Sequence, residues 1–589
     1  MASTFYEWNA RGRILPERFF ELVHNFPTDY NLYLSRIREG KEGAWMATEK
    51  YTSEPHAPSL SQIFYVLVGR LADFSHIQTP YVWFAYHVAR IFFGGLLLLV
   101  IWKVSKWAFE KAGFRWQLIT FLLIATASTW PKFETVAGVP RFGGYMPWYT
   151  MADSLQRITF MPHVTFAQAM LVFVLWVFAG GFISRSTGSG QTKHPGNYIF
   201  LGIVGLILGI IFPPALLFIY GVLGLETIVE CISVLPLMFA GKFARFNLLR
   251  LRTWFYRNGF NRLVFGVIST PALIYYTLLL QEYPWKRLAE FDVLHPTKFS
   301  FAEYFMAVGP VLPLGILGIL ILFLLKRWDV LSRLKICIAW IAAWLSFIFI
   351  FNRIPEQSPT RFTQMAPNVP LGIFTVCLFY ELITLVGELR KSTKCINTGF
   401  GRRITYHGKK KTEYFLSVIH NTIPIIPIFI ILFAFGTLGS SYMWLQDFVY
   451  HKLRGTIPLV PHNAEVMYPM GEIIDGIIWL EVNTPRDAIV LSGMATGNSI
   501  PVYSGNTVFI GHANTVRMED KKTAMENFYT RKFSETDEMS WLKDERIAYV
   551  FYSIEEREIN GGVDDLRTLY PKLEQVYAEK NTRIYKTPQ

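Results

Sequence analysis

The sequence predicts a polytopic α-helical membrane protein of about ten spans, followed by a C-terminal extracytoplasmic α/β domain. Three observations support this fold class. Of the 589 residues, 52% are hydrophobic and only 17% are charged, whereas soluble domains carry roughly 25% charged residues. Long apolar runs recur from about residue 80 to about residue 440, and the last part of the chain lacks them. The basic residues lie mainly between these runs, in the pattern that sets membrane topology.

Ten apolar runs come near the roughly 20 residues that a helix needs to cross the hydrocarbon core. They lie at 80–102, 115–131, 164–184, 198–221, 224–240, 263–281, 303–325, 334–352, 370–388 and 416–440. The fourth and fifth runs are the least regular, because Phe212-Pro213-Pro214 interrupts the fourth and the fifth is short. A broken or re-entrant pair is therefore an alternative to two spans here, since proline is tolerated where neighbouring helices satisfy the freed backbone groups.

The positive-inside rule orders the loops between these runs. Segment 241–262 holds six basic residues and no acid, and 389–413 holds eight basic residues. With these two and the smaller clusters at 103–115 and 326–335 in the cytoplasm, the spans alternate without conflict. The opposite side then receives 1–79, 132–163, 282–302, 353–369 and the tail. Topology thus explains the net charge of +13, and nucleic-acid binding is not predicted.

The chain divides into three parts: a first extracytoplasmic loop at 1–79, a transmembrane domain at 80–440 and a globular domain at 441–589. The first loop contains no apolar run, although the topology places it outside. Either the span at 80 translocates the N-terminus, or a span precedes Met1 in a longer chain, which is the expectation we favour. The third part predicts strands at Ala488–Leu491 and Thr507–Ile510, and helices at about 519–531 and 563–580.

The first loop offers one acidic candidate, Asp29. Thr28 or Asp29 is placed to cap a helix whose apolar positions Tyr30, Leu34 and Ile37 predict an amphipathic helix at the membrane interface. The helix dipole favours the ionised carboxylate there, and an ionised carboxylate suits a general base. A plain helix cap explains the same residue, and spacing alone does not separate the two interpretations.

Four further polar residues lie on the predicted outer side. Asp153 and His163 fall in the second outer loop and before a span, where a packing role for the lone histidine is the simpler alternative. Arg361 lies in a proline-flanked loop and carries a guanidinium able to hold a phosphate in two hydrogen bonds. His56 is a weak metal or substrate candidate. The sequence contains no CxxC, HExxH, Walker or DxD motif; no cofactor is predicted, and a divalent metal is left open.

Several segments resemble a known family. Asp29-Tyr30-Asn31-Leu32-Tyr33, followed by 51–56 and a span, resembles the first extracytoplasmic loop of bacterial GT-C glycosyltransferases, which use polyprenyl-phosphate-linked sugars. The tail segments 484–492, 503–505 and 511–512 resemble the soluble domain of such proteins. They are distantly similar to the tails of protein C-mannosyltransferases and of oligosaccharyltransferase catalytic subunits.

The resemblance implies a multi-pass cell-membrane transferase that moves a sugar with inversion from a polyprenyl-phosphate donor to an outer acceptor. The acceptor, whether protein, lipid or glycan, stays undetermined. The family pattern makes Asp29 the catalytic carboxylate and gives Asp153 or His163 as the second functional residue. It assigns binding of the donor phosphate to Arg361. The chain departs from the pattern in lacking the first span and the DxD metal motif.

Two other classes remain as alternatives. A polytopic transporter is expected to carry ionisable residues within its spans, and Glu226 and Glu230 are such residues. We find no inverted repeat that would favour this class. The other alternative is a non-catalytic membrane scaffold with an external binding domain.

Overall fold

The structure is a computed structural model with side chains. It describes residues 5, 7–9, 11–22, 27–78, 81–136, 139–144, 161–181, 196–239, 259–294, 299–351, 358, 360–397, 468–533 and 538–588.

Helices dominate the described part of the first 400 residues. They are α1 (Pro27–Lys41), α2 (Ile63–Phe74), α3 (Val82–Ala108), α4 (Phe114–Thr126), α5 (Pro162–Phe178), α6 (Gly196–Ile211), α7 (Pro213–Phe239), α8 (Phe260–Leu279), α9 (Lys286–Leu294), α10 (Phe301–Val308), α11 (Val311–Leu324), α12 (Trp328–Arg333), α13 (Lys335–Phe351), α14 (Thr360–Thr363) and α15 (Asn368–Asn397). An antiparallel hairpin, β1 (Pro131–Val136) and β2 (Val139–Gly144), follows α4.

Four helices in the described ranges are long and apolar enough to cross a bilayer: Val82–Ala108, Pro213–Cys231, Phe260–Leu279 and Asn368–Leu385. α10 and α11 meet at an angle of 90° and qualify together as a fifth, bent span or as a re-entrant pair. Shorter apolar helices occupy Phe114–Thr126, Pro162–Phe178, Tyr198–Ile211 and Lys335–Ile350.

The apolar runs of the sequence are helical at nine of their ten positions, and the tenth, 416–440, lies outside the described residues. Four or five of these helices reach spanning length. The break between helices falls at Phe212, before Pro213, where Phe212-Pro213-Pro214 was expected to interrupt the fourth run. The expected end of that run near 221–224 was wrong, because α7 continues through these residues without interruption. Proline at the first helical positions is compatible with starting a helix there.

The C-terminal part is α/β, as the sequence predicts. Its elements are α16 (Gly471–Asn483), β3 (Ile489–Leu491), α17 (Met494–Tyr503), β4 (Thr507–Val508), α18 (Met518–Tyr529), α19 (Glu538–Asp544), β5 (Ile547–Tyr552), α20 (Ile554–Ile559), β6 (Glu574–Glu579) and β7 (Thr582–Lys586). The strand order is β4-β3-β5-β7-β6. β3 runs parallel to β4 and β5, whereas β7 is antiparallel to both β5 and β6.

The sheet has protein on both faces. Ile489 and Leu491 belong to a core shared with α18 and α19, whereas Val490 between them packs into the main core that includes α1 and the membrane helices. Successive strand residues point to opposite faces, which is why a three-residue apolar strand contributes to two cores. The tail is therefore joined to the rest of the molecule by a continuous apolar core.

The predicted helix at 563–580 is wrong. That stretch forms a short 3-10 turn at Leu566–Thr568 and then the edge strand β6. The apolar spacing there fits a helix, but the backbone of β6 pairs with that of β7 and this part of the chain is a strand. The predicted helix at 519–531 is confirmed as α18, and the two predicted strands are confirmed as β3 and β4.

The first-loop helix α1 is not an interfacial helix. Every residue from Tyr30 to Gly40 is buried, including the charged side chains of Arg36 and Arg38. The expectation of an amphipathic helix at the membrane interface was wrong, because the polar side of α1 meets the tail and the rest of the first loop. Asn31, for example, donates to Asn498 Oδ1 at 2.8 Å.

Helices α1 and α2 cross at two glycines. A Cβ atom at Gly69 would lie 1.9 Å from the carbonyl oxygen of Ile37, and one at Gly40 would lie 2.0 Å from that of Val66. Real contacts never approach so closely, so the backbones touch only because both residues lack a side chain. The crossing fixes the position of α1, and therefore of Asp29, relative to α2.

We predict that Gly69→Ala forces α1 and α2 apart and destabilises the protein by about 1–3 kcal/mol, the usual cost of overpacking. Thermal unfolding of the detergent-purified protein measures this loss. Gly95→Ala is the matched control, since a Cβ there meets no described atom within 4 Å. Equal midpoints for the two variants would contradict the close crossing.

Glu21 joins the N-terminal segment to the tail. Its carboxyl is buried and accepts a hydrogen bond from Tyr503 Oη. Burial raises the pKa of Glu21 to about 7, while the bond from Tyr503 acts in the opposite direction. The folded protein thus binds this proton more tightly than the unfolded chain, whose carboxyl has an ordinary pKa near 4.5.

Because the folded-state pKa is raised, the stability that Glu21 contributes is complete below about pH 4.5 and is lost as the pH rises through 7. We predict that Glu21→Gln removes this part of the pH dependence. Between pH 5 and pH 8 the unfolding temperature of the wild type should therefore fall relative to that of Glu21→Gln. Glu17→Gln, at an exposed carboxylate, is the control. Parallel pH profiles for wild type and Glu21→Gln would contradict the shifted pKa.

Candidate functional site

Asp29 lies in the first turn of α1 and contacts a residue from the other end of the chain. Its Oδ1 is 3.3 Å from His512 Nε2. The Asp29 side chain is 41% exposed, whereas that of His512 is only 5% exposed. The carboxylate is thus supported on one side by a buried histidine and remains open to solution on the other.

The hydrogen bonds of His512 define its tautomer. Its Nδ1 accepts the backbone N–H of Asn514 at 3.1 Å, so the ring proton of a neutral imidazole belongs on Nε2, the atom that faces Asp29. The turn is fixed by Thr515, whose hydroxyl donates to the Tyr51 carbonyl at 2.7 Å. The Tyr51 ring also packs against the imidazole, with ring centroids 5.4 Å apart. His512 is therefore oriented to donate to the Asp29 carboxylate.

Asn498 on α17 connects the two halves of this contact. Its Nδ2 lies 3.2 Å from the carbonyl of Thr28, beside Asp29, and 3.1 Å from the carbonyl of Gly511, beside His512. One buried amide therefore holds the start of α1 and the histidine turn at a fixed separation.

Two carboxylates position α17 itself. Glu556 accepts the Gly493 N–H at 2.6 Å, and Glu555 accepts the N–H groups of Ala495 and Thr496 at 2.9 and 2.7 Å. These donors lie at the start of α17, where the helix dipole favours negative charge. Burial, with the adjacent Glu555 carboxylate as the second cause, raises the pKa of Glu556 to about 7.

An aromatic group borders Asp29 one turn further along α1. The ring of Tyr33 stacks on Tyr65, with centroids 4.3 Å apart, and the Tyr65 hydroxyl is 2.6 Å from His163 Nδ1. Burial raises the pKa of Tyr33 well above its ordinary value of 10, the Asp29 carboxylate adds to the increase, and Arg361 acts against it. Tyr33 therefore lies within the electrostatic reach of both Asp29 and Arg361.

Arg361 on α14 is already paired. Its Nε and Nη2 donate to the two carboxylate oxygens of Asp292 on α9, at 3.1 and 2.9 Å. This two-bond arrangement holds the guanidinium plane in one orientation. The Arg361 side chain is 41% exposed and that of Asp292 is 15% exposed, so the cation is both oriented and accessible.

His56 is engaged elsewhere in the first loop. Its Nε2 accepts the Glu49 N–H at 2.8 Å, and its Nδ1 lies 2.7 Å from the Glu54 carbonyl, to which it donates. Both ring nitrogens bond to the backbone, and the ring packs edge-on against Trp285. This geometry gives the imidazole a role in shaping the loop.

The structure thus brings Asp29, His163 and Arg361 together around Tyr33, whereas Asp153 lies outside the described residues. No group of three or more His, Cys, Asp or Glu side chains that could hold a metal ion occurs within the described ranges.

Sequence reasoning missed two residues of the site, His512 and Asp292. His512 follows a glycine at the end of a buried apolar stretch, and that position was the available signal for a functional turn. Asp292 has no comparable signal, because its pairing with Arg361 joins residues 69 positions apart on the short helices α9 and α14.

The sequence matches no protein-family profile and no curated protein. Among solved structures, the fold is similar to the oligosaccharyltransferase AglB from Archaeoglobus fulgidus, solved with an inhibitory peptide and a dolichol-phosphate. The identity is 14% and the TM-score 0.47, over 100% of this chain and 74% of that one. It is also similar to ArnT from Cupriavidus metallidurans bound to undecaprenyl phosphate, with 12% identity and a TM-score of 0.49, over 100% of this chain and 97% of that one.

AglB is an oligosaccharyltransferase, and the two neighbouring structures contain dolichol-phosphate and undecaprenyl phosphate respectively. With TM-scores below 0.5 the likeness is loose. The assignment of chemistry therefore rests on the side chains of the site.

Proposed function

We propose that this chain is an inverting membrane glycosyltransferase that moves a sugar from a polyprenyl-phosphate donor to an extracytoplasmic acceptor. Asp29 is the general base. One observation carries the proposal: the half-exposed Asp29 carboxylate is oriented by the buried His512 at 3.3 Å, and Tyr33, one turn along α1, lies within the electrostatic reach of both this carboxylate and the oriented, accessible Arg361.

The environment of Asp29 suits proton abstraction. The carboxylate lies in the first turn of α1, and its exposed side is reachable by an acceptor hydroxyl. His512 donates one hydrogen bond and thereby fixes the carboxylate plane. A general base needs this kind of defined geometry, with its oxygen within hydrogen-bond reach of the proton that it removes.

In the proposed step, the acceptor oxygen attacks the anomeric carbon of the donor sugar and its proton passes to Asp29. The bond between that carbon and the phosphate oxygen breaks, and polyprenyl phosphate leaves with the electron pair. The configuration at the carbon inverts. Because the second pKa of a phosphate monoester is about 6, the leaving group needs no strong general acid.

Arg361 is proposed to bind the donor phosphate. Its pairing with Asp292 uses the edge formed by Nε and Nη2, and a guanidinium carries five N–H donors in all. Asp292 thus orients the cation before the donor arrives, and Arg361 stabilises the negative charge that grows on the phosphate as the sugar leaves. His163 and the stacked tyrosines form the proposed wall between this cation and the base.

We predict that Asp29→Asn lowers transfer about 100-fold or more, since general-base catalysis contributes roughly that factor at its lower end. The measurement is consumption of polyprenyl-phosphate monosaccharides, tested as a panel with the purified protein. Asp520→Asn, at an exposed carboxylate on α18, is the control and should retain wild-type turnover.

His512→Gln separates orientation from proton transfer. It keeps a donor near Asp29, so we expect a smaller loss than in Asp29→Asn, and no further loss when the two changes are combined. Near wild-type turnover of Asp29→Asn, with unfolding midpoints unchanged, would exclude the base assignment.

We predict that Arg361→Ala raises the apparent KM for the donor about tenfold or more, or lowers kcat, because a phosphate partner is lost. Asp292→Asn keeps the guanidinium and loosens only its orientation, so its effect on the donor KM should be smaller. Steady-state kinetics with varied donor and fixed acceptor measure both. Donor dependence that is the same in all three proteins would rule out the phosphate role.

A further inference from the structure

The short helix α9 contacts three separate parts of the molecule. It has nine residues, and each of them is at least partly exposed. A helix this short is not stable by itself, so its position is set by the contacts that it and its first flanking residues make. These contacts lead to the first loop, to the tail and to Arg361.

Trp285, immediately before α9, anchors the start of the helix on the first loop. Its side chain is 4% exposed and packs with Ala47 and Val66 in a small apolar cluster. The indole N–H donates to the Ala57 carbonyl at 3.4 Å. Val66 lies where α2 crosses α1 most closely, so this end of α9 is connected to the helix that carries Asp29.

Arg287 connects α9 to the turn that holds His512. Its Nη2 donates to the Ala513 carbonyl at 3.3 Å, and its Nη1 donates to Glu290 of the same helix at 2.9 Å. The Glu290 carboxylate also accepts a hydrogen bond from Tyr283 Oη at 2.6 Å. Because a guanidinium is planar and rigid, fixing one of its terminal nitrogens on Glu290 directs the other at the backbone carbonyl next to His512.

Asp292 lies on a different face of α9. It follows Arg287 by five residues, which corresponds to about 140° around a helix and about 7.5 Å along it. Its carboxylate accepts both hydrogen bonds from Arg361. One face of α9 thus orients the cation to which donor binding is assigned, while another face holds the His512 turn.

We propose that α9 keeps the base and the phosphate-binding arginine at a fixed spacing, and that Arg287 is the positioning residue on the base side. Arg287 holds the turn through Ala513, the adjacent Asn514 N–H orients the imidazole, and His512 orients the Asp29 carboxylate. The inference rests on the proposed transfer reaction. It adds a helix that acts on both reacting groups through other residues.

A purely structural role for these ion pairs leads to a different expectation. Exposed ion pairs contribute little to stability, so in that case the loss of Asp292 would change nothing around His512. The proposed role predicts that a change on the Arg361 face of α9 loosens the His512 turn on its other face. The two interpretations therefore differ in the local stability of the turn.

Hydrogen–deuterium exchange of the full detergent-purified chain tests the proposal. The Asn514 amide donates to His512 Nδ1 at 3.1 Å, and peptides that cover 511–516 report its exchange by mass spectrometry. We expect Arg287→Ala to speed this exchange roughly fivefold, the factor that corresponds to one lost hydrogen bond. Asp292→Ala, which acts through α9, should speed it about twofold or more, because the turn opens locally more often.

Two neighbouring changes serve as matched controls. Lys286→Ala removes the adjacent cation of α9, which contacts Glu290 and Tyr283. Glu282→Ala removes an exposed carboxylate just before the helix. Both should leave exchange at 511–516 unchanged. Wild-type exchange in Arg287→Ala overturns the positioning role, and exchange in Asp292→Ala equal to that of the controls overturns the connection through α9.

Transfer kinetics provide a second readout. Arg287→Ala should lower kcat roughly fivefold or more with the donor KM unchanged, and Arg287→Lys, which keeps a hydrogen-bond donor, should recover part of this loss. A raised donor KM with wild-type kcat overturns the assignment of Arg287 to the base side. The exchange measurement needs neither donor nor turnover. A chain that transfers no sugar would therefore contradict the proposed function, while exchange alone would still decide the role of α9.

Discussion

The structure depends on the burial of two guanidinium groups on α1. Arg36 pairs with Glu39 of α1 and with Glu49 at 3.0 and 2.8 Å, and Arg38 pairs with Glu42, just after α1, and with Glu481 of the tail at 2.7 and 2.8 Å. A buried charge that loses its partner costs about 3–5 kcal/mol, so Glu49 and Glu481 stabilise α1 in this position between the loop and the tail. The membrane helices, the first loop and the C-terminal sheet are thereby organised around one short helix, and Asp29 is at its beginning.

The same arrangement explains how an exposed carboxylate is held so firmly. Polar contacts continue from the first loop into the tail, where Lys521 of α18 bonds to Ser53 and Glu54, each at 2.8 Å. The carboxylates of α20 hold α17, α17 holds the amide of Asn498, and that amide spans from Asp29 to His512. Orientation therefore comes from well-packed elements behind the site, while the front stays open for substrates.

The sequence predicted features that depend on local pattern. Apolar runs and charged loops indicated the helices and the tail, and outer-loop position singled out Asp29, His163 and Arg361. Features that depend on distant partners were not accessible. The helix α1 was assigned to the membrane interface because the sequence does not reveal that its arginines find acids in other elements. The strand β6 was assigned to a helix for a related reason, since its pairing with β7 is a tertiary contact. The partners of His512 and Asp292, Asp29 and Arg361, lie far away in the sequence and are identified only in the folded chain.

The contact between Asp29 and His512 joins residues 483 positions apart. At the usual 5–20 residues per second, a ribosome needs about 25–100 s to travel that distance. During this interval α1 has emerged, but neither His512 nor Glu481, the tail partner of Arg38, yet exists. The helix α1 therefore lacks its contacts with the tail for most of the time in which the chain is synthesised. A chain that stops short of the tail carries the Asp29 carboxylate without the histidine that orients it. Completion of translation is in this sense the event that assembles the site.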